Sequence, residues 1–387
     1  MVSRATTKAR AHSATGAACG DAAPSPGPVR VVGRGAGFNP ANRFEPIAIE
    51  YGDPDGAGSG DAADASAQPV LRTQFYKDHA SSILTRNTSP DLGFEYTLNP
   101  YRGCEHGCAY CYARPYHEYL GFSAGLDFET RIMVKEDAPG LLREALSDPS
   151  WIPSPIALSG VTDCYQPVER RLALTRRCLE VMAEFRQPVS LITKNALVVR
   201  DLDYLGDLAR HQAAAVILSI TTLDPELSHV MEPRASVPAQ RLAAVRALAA
   251  AGVPVGVNIA PVIPGLNDHE IPAILAAAAE AGACHAGWGM LRLPYGVKDV
   301  FLDWLDRRFP GKKNRVLARI RDVRGGQLDQ SGFGVRFTGE GIFAEQIRAL
   351  FRAAARRHGL ERAFPPLATG AFRRPGGHQL DLGLTGG

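Results

Sequence analysis

The chain has 387 residues, 45% of them hydrophobic, which is enough for one large domain or two ordinary ones. Its formal net charge of +3 at pH 7 is too small to indicate the charge of a partner. No apolar run approaches the ~20 residues that a membrane helix needs, so an integral membrane protein is not expected.

The N-terminal part reads as a tail. Residues 1–70 are rich in Ala, Gly, Ser, Pro and Asp and have no sustained hydrophobic period. Such a segment buries too little surface to offset the entropy of ordering, so we expect it to be disordered. The first twenty residues lack the apolar stretch of a secretory signal, which favours a cytoplasmic location. The "GRGAGF" at 33–38 is a weak nucleotide motif, since it does not join a strand to a helix.

From about residue 92 the pattern changes to short β-branched runs that alternate with longer segments rich in Ala, Leu and Arg. The predicted strands are 94–100, 155–160, 188–195, 214–222, 253–263 and 285–293. The predicted helices are 167–185, 203–211, 238–251, 268–282, 297–308, 312–322 and 341–358. This alternation is typical of parallel β/α units, and six units are too few for an eight-fold barrel.

We therefore predict an α/β fold, a partial (β/α)6 TIM-type barrel. The disordered N-terminal tail covers 1–70, the core domain covers 90–340, and a helical C-terminal extension with a flexible end covers 341–387. The predicted strands begin apolar and end with polar residues or glycine, among them Ser159, Lys194 and Asn258. Because the carboxyl ends of barrel strands form one rim, we expect a ligand site there.

The cysteines give the sharpest chemical indication. Three of the seven lie close together in "NPYRGCEHGCAYCYAR", and the other four are scattered. The clustered three are Cys104, Cys108 and Cys111. An odd count with one tight cluster favours a metal site in a reducing compartment over a disulfide framework. Zinc would need a fourth ligand, for which His106 and His117 are candidates. A [4Fe-4S] cluster normally takes four thiolates, so three would leave one iron open for catalysis.

The spacing Cys-x3-Cys-x2-Cys, with Tyr110 before the last cysteine, resembles the motif of the radical S-adenosylmethionine (SAM) superfamily. The longer "NPYRGCEHGCAYCYAR" is similar to its spore photoproduct lyase-like branch. The resemblance implies a [4Fe-4S] cluster held by the three clustered cysteines, with SAM on the open iron. It further implies that one electron cleaves SAM to methionine and a 5′-deoxyadenosyl radical, which takes hydrogen from a substrate. A reducing electron donor such as flavodoxin or ferredoxin is then needed.

The resemblance also implies roles for residues at the strand ends, although each could instead satisfy backbone groups or solvent. Ser159, Gly160 and Thr162 would receive the SAM amino group, Lys194 its carboxylate, Ser219 and Asn258 the ribose hydroxyls, and Arg234 the carboxylate or a substrate phosphate. Cys164 would donate hydrogen to a substrate radical, or simply pack in a loop. Cys178 and Cys284 are expected in the core, as free cysteines usually are.

The substrate is left open by the sequence. The lyase-like resemblance suggests DNA carrying a fused pyrimidine pair. Residues 311–387 contain fourteen Lys and Arg against six Asp and Glu, which would favour contact with phosphates. One alternative is a radical SAM enzyme that acts on a small molecule, RNA or protein. Another is a non-enzymatic protein whose iron–sulfur cluster senses redox state or iron.

Overall fold

The computed structural model describes residues 31–45 and 71–375. The strands in this part of the chain are β1 (Gln74–Lys77), β2 (Leu84–Arg86), β3 (Tyr96–Leu98), β4 (Tyr101–Arg102), β5 (Arg131–Val134), β6 (Ile156–Leu158), β7 (Val189–Thr193), β8 (Ala214–Ser219), β9 (Val255–Val262) and β10 (His285–Met290). The α-helices are α1 (Leu126–Thr130), α2 (Ala138–Ser147), α3 (Glu169–Leu172), α4 (Leu174–Phe185), α5 (Leu202–Arg210), α6 (Pro225–Met231), α7 (Pro238–Ala250), α8 (Ile271–Glu280), α9 (Val297–Arg308), α10 (Lys313–Asp322) and α11 (Gly341–Arg357). None of the helices within the described ranges is long and apolar enough to cross a membrane.

Seven strands form the main sheet, in the order β10-β9-β8-β7-β6-β3-β2. Neighbours from β3 to β10 pair in parallel, and β2 pairs antiparallel with β3 at the edge. Each parallel strand lies within one of the predicted strand segments. This α/β fold with a mostly parallel sheet is consistent with the predicted partial barrel. The exact count of six β/α units stays a prediction, because several connections carry two helices.

The predicted helix 167–185 is two helices in the structure. Ala173 separates α3 from α4 and has a φ of +50°, in the left-handed region. The Glu169 carboxylate accepts the backbone N–H of Thr175 at 3.1 Å, at the start of α4. A carboxylate at this position satisfies an orphan N–H and is favoured by the helix dipole. The break is therefore stabilised by a buried acid, which hydrophobic periodicity does not reveal.

A second sheet of three strands, in the order β1-β5-β4, is absent from the sequence prediction. β1 pairs in parallel with β5, and β4 pairs antiparallel with it. These strands have only two to four residues and depend on partners far away in sequence. Local patterns cannot report such pairing. The sheet brings β4 and β5 beside the start of the three-cysteine segment.

The C-terminal part covers one edge of the main sheet and reaches across to the other. Met290 of the edge strand β10 donates its N–H to the Phe337 carbonyl at 2.7 Å. Arg336 makes a two-point ion pair with Asp91, which lies in the loop between β2 and β3. α11 packs against α8 and α10 on the outside of the sheet. The open edges expected of a partial barrel are thus covered and linked.

The predicted N-terminal tail is described only in part, because 1–30 and 46–70 lie outside the described residues. Residues 31–45 fall within this tail by sequence, yet they pack against the rest of the protein. Ala36 is fully buried. The N–H groups of Gly35 and Ala36 donate to the Glu129 carboxylate at 3.1 and 2.8 Å. The structure differs from the expectation here because a distant buried acid satisfies the backbone of a glycine-rich segment.

Candidate functional site

The three clustered cysteines lie on one loop, residues 104–111, which we call the cysteine loop. Its entry is fixed by the Cys104 N–H, which donates to the Phe128 carbonyl at 2.8 Å. Its exit is a turn in which the Cys111 N–H donates to the Cys108 carbonyl at 3.2 Å. Gly107 has a φ of +68°, a conformation that residues with a Cβ rarely adopt. Short-range turns therefore fold the loop back on itself, so that all three thiols lie in one small region.

The thiols are shielded from water and carry no disulfide. Cys104 and Cys108 are 7% and 6% exposed, and Cys111 is partly buried. Burial raises the pKa of Cys104 well above its usual range and raises the pKa of Cys108 to about 12. Desolvated thiols of this kind ionise when a bound metal centre supplies positive charge. The environment suits ligands of a buried metal centre.

The arrangement does not suit a single metal ion. Within 31–45 and 71–375, no three His, Cys, Asp or Glu side chains converge on a point where one ion could bind. His106 is held between Asp163 and Asn195, at 3.3 Å from each. His117 is packed between the rings of Phe122 and Phe128. His106 is therefore engaged elsewhere, whereas both ring nitrogens of His117 are buried without a hydrogen-bond partner. Among the described residues no fourth protein ligand joins the three thiols, which fits a larger [4Fe-4S] cluster with one open iron.

The loop after β6 lies directly beside the cysteine loop and carries the residues predicted to bind the SAM amino group. Thr162 Oγ1 donates to the carbonyl of Tyr101, which precedes the cysteine loop, at 2.7 Å. The hydroxyl of Tyr112, which follows that loop, donates to the Gly160 carbonyl at 2.9 Å. Ser159 Oγ accepts the Cys164 N–H at 2.8 Å. The structure thus brings the loop of Ser159, Gly160 and Thr162 beside the two ends of the cysteine loop.

Asp163 connects three neighbouring loops. Its carboxylate accepts hydrogen bonds from the Tyr165 N–H at 2.9 Å, Thr193 Oγ1 at 2.7 Å and the Lys194 N–H at 2.8 Å. It also pairs with His106 of the cysteine loop. Burial would raise the pKa of Asp163, but His106 and these hydrogen bonds outweigh it and lower the pKa. Asp163 is a positioning group whose oxygens are already used.

Lys194 projects from the end of β7 toward the cysteine loop. Its Nζ lies 5.9 Å from the centroid of the Tyr110 ring. Burial lowers the pKa of Lys194, but the negative charges of Cys108, Glu232 and Asp163 outweigh burial and raise it. Among the described residues no carboxylate comes within ion-pair distance of its ammonium group. Lys194 is therefore a partly buried cation that can accept an anionic ligand.

Glu232 is a site residue that the sequence interpretation missed. Its buried carboxylate accepts hydrogen bonds from the Tyr110 hydroxyl, from Thr221 Oγ1 at 2.8 Å and from Arg241. Tyr110 is the aromatic residue just before the last cysteine of the loop. Arg241 also donates to the Ser219 carbonyl at 3.0 Å. A buried ion pair thus links the cysteine loop to the end of β8.

The remaining predicted residues are placed as follows. Ser219 is the last residue of β8, and Asn258 lies within β9. The two residues are opposite one another in the parallel pairing of these strands, at the rim. Arg234 pairs with Glu105 of the cysteine loop at 2.9 Å, so its guanidinium already has a carboxylate partner. Cys164 is fully buried in the main hydrophobic core, and burial raises its pKa well above the usual range. The roles assigned to these four residues stay predictions.

Of the two cysteines expected in the core, Cys178 is fully buried. Cys284 is exposed, so the expectation is wrong for this residue. Its Sγ lies 3.3 Å from the Val255 carbonyl, at the solvent-accessible start of β10. Its position before the strand, rather than its residue type, decides its exposure.

A second cation at the rim was also missed. Arg292 follows β10, and its guanidinium lies 6.0 Å from the Tyr112 ring and 5.2 Å from the Phe337 ring. Its Nε is buried without a hydrogen-bond partner, and across the described part of the chain it forms no ion pair. Burial and the nearby Arg336 lower its pKa. Arg292 and Lys194 both influence Tyr112 electrostatically, so two unpaired cations lie near the exit of the cysteine loop.

Comparison with known proteins gives matches over this same region. A family model described as the radical SAM superfamily matches residues 98–278. An uncharacterized protein of Mycobacterium tuberculosis is 38% identical over 234 residues, which cover 60% of this chain and 68% of that protein. An uncharacterized protein of Methanocaldococcus jannaschii is 31% identical over 178 residues, which cover 46% of this chain and 64% of that protein.

Among solved structures, the chain is similar to spore photoproduct lyase complexed with dinucleoside spore photoproduct. The TM-score is 0.54 at 17% sequence identity, over 73% of this chain and 79% of the lyase. At this identity the likeness establishes a shared fold.

Proposed function

The chain belongs to the radical SAM superfamily, and from this premise we propose that it is an enzyme that starts a radical reaction on a cluster held by Cys104, Cys108 and Cys111. When bound and reduced, the [4Fe-4S] cluster supplies the electron that cleaves SAM to methionine and a 5′-deoxyadenosyl radical for hydrogen abstraction. The observation that carries the proposal is the loop of three buried or partly buried thiols, which no fourth protein ligand joins in the described part of the chain.

The strand-end residues supply the SAM site in this proposal. Ser159, Gly160 and Thr162 present backbone and hydroxyl groups beside the cysteine loop, where they bind the SAM amino group. Lys194 binds its carboxylate, because its ammonium is partly buried and has no carboxylate partner among the described residues. The ribose hydroxyls are assigned to Ser219 and Asn258, and the carboxylate or a substrate phosphate to Arg234. Cys164 is assigned hydrogen donation, although that role requires its buried thiol to become accessible.

We expect Lys194→Met to weaken SAM binding by about 10- to 100-fold, the usual cost of losing a charge-assisted hydrogen bond. Iron content should stay that of the wild-type protein, since Lys194 is not a ligand. Equilibrium dialysis of the reconstituted protein with labelled SAM measures the change. Lys194→Arg, which keeps the charge, should recover part of the affinity. Wild-type SAM affinity in Lys194→Met would remove Lys194 from the SAM site.

The substrate that the site favours is an anion, and we propose a DNA lesion as the first candidate. The solved relative is a lyase complexed with a dinucleoside photoproduct, which makes nucleic acid a reasonable class for this chain. Arg292 offers an unpaired guanidinium for a phosphate, and Tyr112 beside it is 44% exposed and can stack on a base. The basic C-terminal region offers fewer contacts to a nucleic acid at the rim, because α11 packs on the outside of the sheet.

Arg292→Gln should weaken binding of oligonucleotides that carry the lesion and reduce the salt dependence of binding by about one phosphate contact. Fluorescence anisotropy at several salt concentrations measures both quantities. The matched control is Arg352→Gln, because Arg352 is exposed on α11. If Arg352→Gln has the larger effect, the C-terminal surface rather than the rim contacts the nucleic acid.

The proposal is tested by anaerobic reconstitution followed by incubation with SAM and dithionite, or with flavodoxin or ferredoxin as the electron donor. We expect a [4Fe-4S] protein that yields 5′-deoxyadenosine and methionine. Deuterated spore-photoproduct DNA should transfer label to 5′-deoxyadenosine. Turnover without label from DNA would redirect the search to RNA, protein or small-molecule substrates. An intact cluster without any turnover would support a sensor and overturn the enzyme proposal.

A further inference from the structure

The "GRGAGF" segment, which the sequence interpretation set aside, lies against the cysteine loop. A Cβ on Gly35 would overlap the Gly107 carbonyl oxygen and lie 2.9 Å from the Ala109 nitrogen. These two loop residues flank Cys108 on either side. Only glycine permits such a close approach of two backbones. Residues 33–40, which we call the strap, therefore touch the backbone of the loop on both sides of Cys108.

A fully buried ion pair connects the strap to the same cysteine from the other side. The Glu129 carboxylate accepts the N–H groups of Gly35 and Ala36. Glu129 also pairs with Arg114, and both side chains are completely buried. Arg114 in turn donates Nε and Nη2 to the Cys108 carbonyl at 3.0 and 2.8 Å. A continuous chain of hydrogen bonds therefore runs from the strap through the Glu129 carboxylate and the Arg114 guanidinium to the backbone of Cys108.

Further contacts hold the strap in this position. The Asn39 side chain accepts the Asp127 N–H at 3.0 Å and donates to its carboxylate at 3.2 Å. The Pro40 carbonyl accepts the Ser123 hydroxyl at 2.5 Å. These bonds lie away from the thiols. They anchor the strap without contacting a cluster ligand.

We propose that docking of the strap and binding of the iron–sulfur cluster stabilise each other, so that the strap is a positioning element of the cluster site. A bound cluster fixes the conformation of the cysteine loop, and the strap packs only on that conformation. The strap in return excludes water from Cys108 and holds its backbone. By linkage, each event strengthens the other by the same factor. The inference rests on the proposed function, because it requires that a cluster binds.

The direct test is the rate at which the reconstituted protein loses its cluster absorbance to a chelator under anaerobic conditions. Gly35→Ala should lose the cluster about 10-fold faster than wild type or more, the usual cost of disturbing groups just outside a ligand set. Gly140→Ala is the control, since Gly140 is exposed in α2, outside the strap, and an added Cβ would meet nothing within 4 Å. Its loss rate should stay close to wild type. Equal rates for all three proteins would overturn the proposal.

Mutual stabilisation of strap docking and cluster binding can also be measured by proteolysis, without an activity assay. Trypsin cleavage after Arg34 or Arg43 should be faster in the cluster-free protein than in the cluster-loaded protein. Equal cleavage rates in the two forms would contradict coupling. Asn39→Ala, which loosens the strap without a steric overlap, keeps the test available if Gly35→Ala fails to fold. It should accelerate both cluster loss and cleavage. A wild-type protein that takes up no cluster would instead defeat the proposed function itself.

Discussion

Replacement of Cys104, Cys108 or Cys111 by alanine should abolish cluster binding and reduce 5′-deoxyadenosine formation to background. Disturbing a group outside a ligand set costs about 10- to 100-fold in metal affinity, so loss of a ligand should cost more. Iron and sulfide analysis after anaerobic reconstitution measures the first effect, and product chromatography measures the second. The protein should still fold, since most of its core lies in the sheet and its helices.

Cys284→Ala is the control for this series, because Cys284 is exposed and outside the cysteine loop. It should retain the iron content and SAM cleavage of the wild-type protein. A Cys111→Ala protein that keeps a full cluster would show that another residue holds the iron. In that case the three-thiol interpretation of the loop would be wrong.

Arg241→Met should lower the free energy of unfolding by about 3–5 kcal/mol, because it leaves the buried Glu232 carboxylate without its cation. The two side chains are 1% and 0% exposed. Urea unfolding of the cluster-free protein measures the change. The double variant Arg241→Met/Glu232→Gln should be more stable than the single variant, since it removes the unpaired charge. Arg143→Met breaks a largely exposed pair with Glu184 and should cost at most about 1 kcal/mol.

The same pair predicts a dependence on pH. Burial raises the pKa of Glu232, but Arg241 and Lys194 outweigh it and hold the pKa below its usual range. A depressed folded-state pKa contributes stability above the unfolded-state pKa, and this contribution is lost as the pH falls through the folded value. In Arg241→Met burial is less opposed, so the pKa of Glu232 should rise. The variant should then unfold at a higher pH during acid titration than the wild-type protein.

The sequence was most informative where chemistry is local. The cysteine spacing and the neighbouring aromatic residue identified the superfamily, and the family match confirms that identification. The apolar runs located the parallel strands, because the central ones, such as β6 and β8, are almost wholly buried and therefore nearly continuous in hydrophobicity. Lys194 was found for a similar reason, since it directly follows such a run at the end of β7.

Residues that act through distant partners were missed. Glu232 contacts Tyr110, which is 122 positions away in the chain, and no local pattern reports that contact. Arg292 stands out only because the folded protein leaves its guanidinium without a carboxylate partner among the described residues. The strap was assigned to the disordered N-terminal tail because residues 1–70 have no sustained hydrophobic period. Its stability comes from Glu129, which lies 93 positions from Ala36.

The sequence by itself determined the superfamily and the alternation of strands and helices, because cysteine spacing and hydrophobic period are properties of neighbouring residues. Only the tertiary structure decided which charges are paired and which remain available to a ligand. It also decided that a glycine-rich segment near the N-terminus lies against the backbone on both sides of Cys108. Those outcomes depend on burial and on contacts between residues far apart in the chain, which form only when the chain has folded.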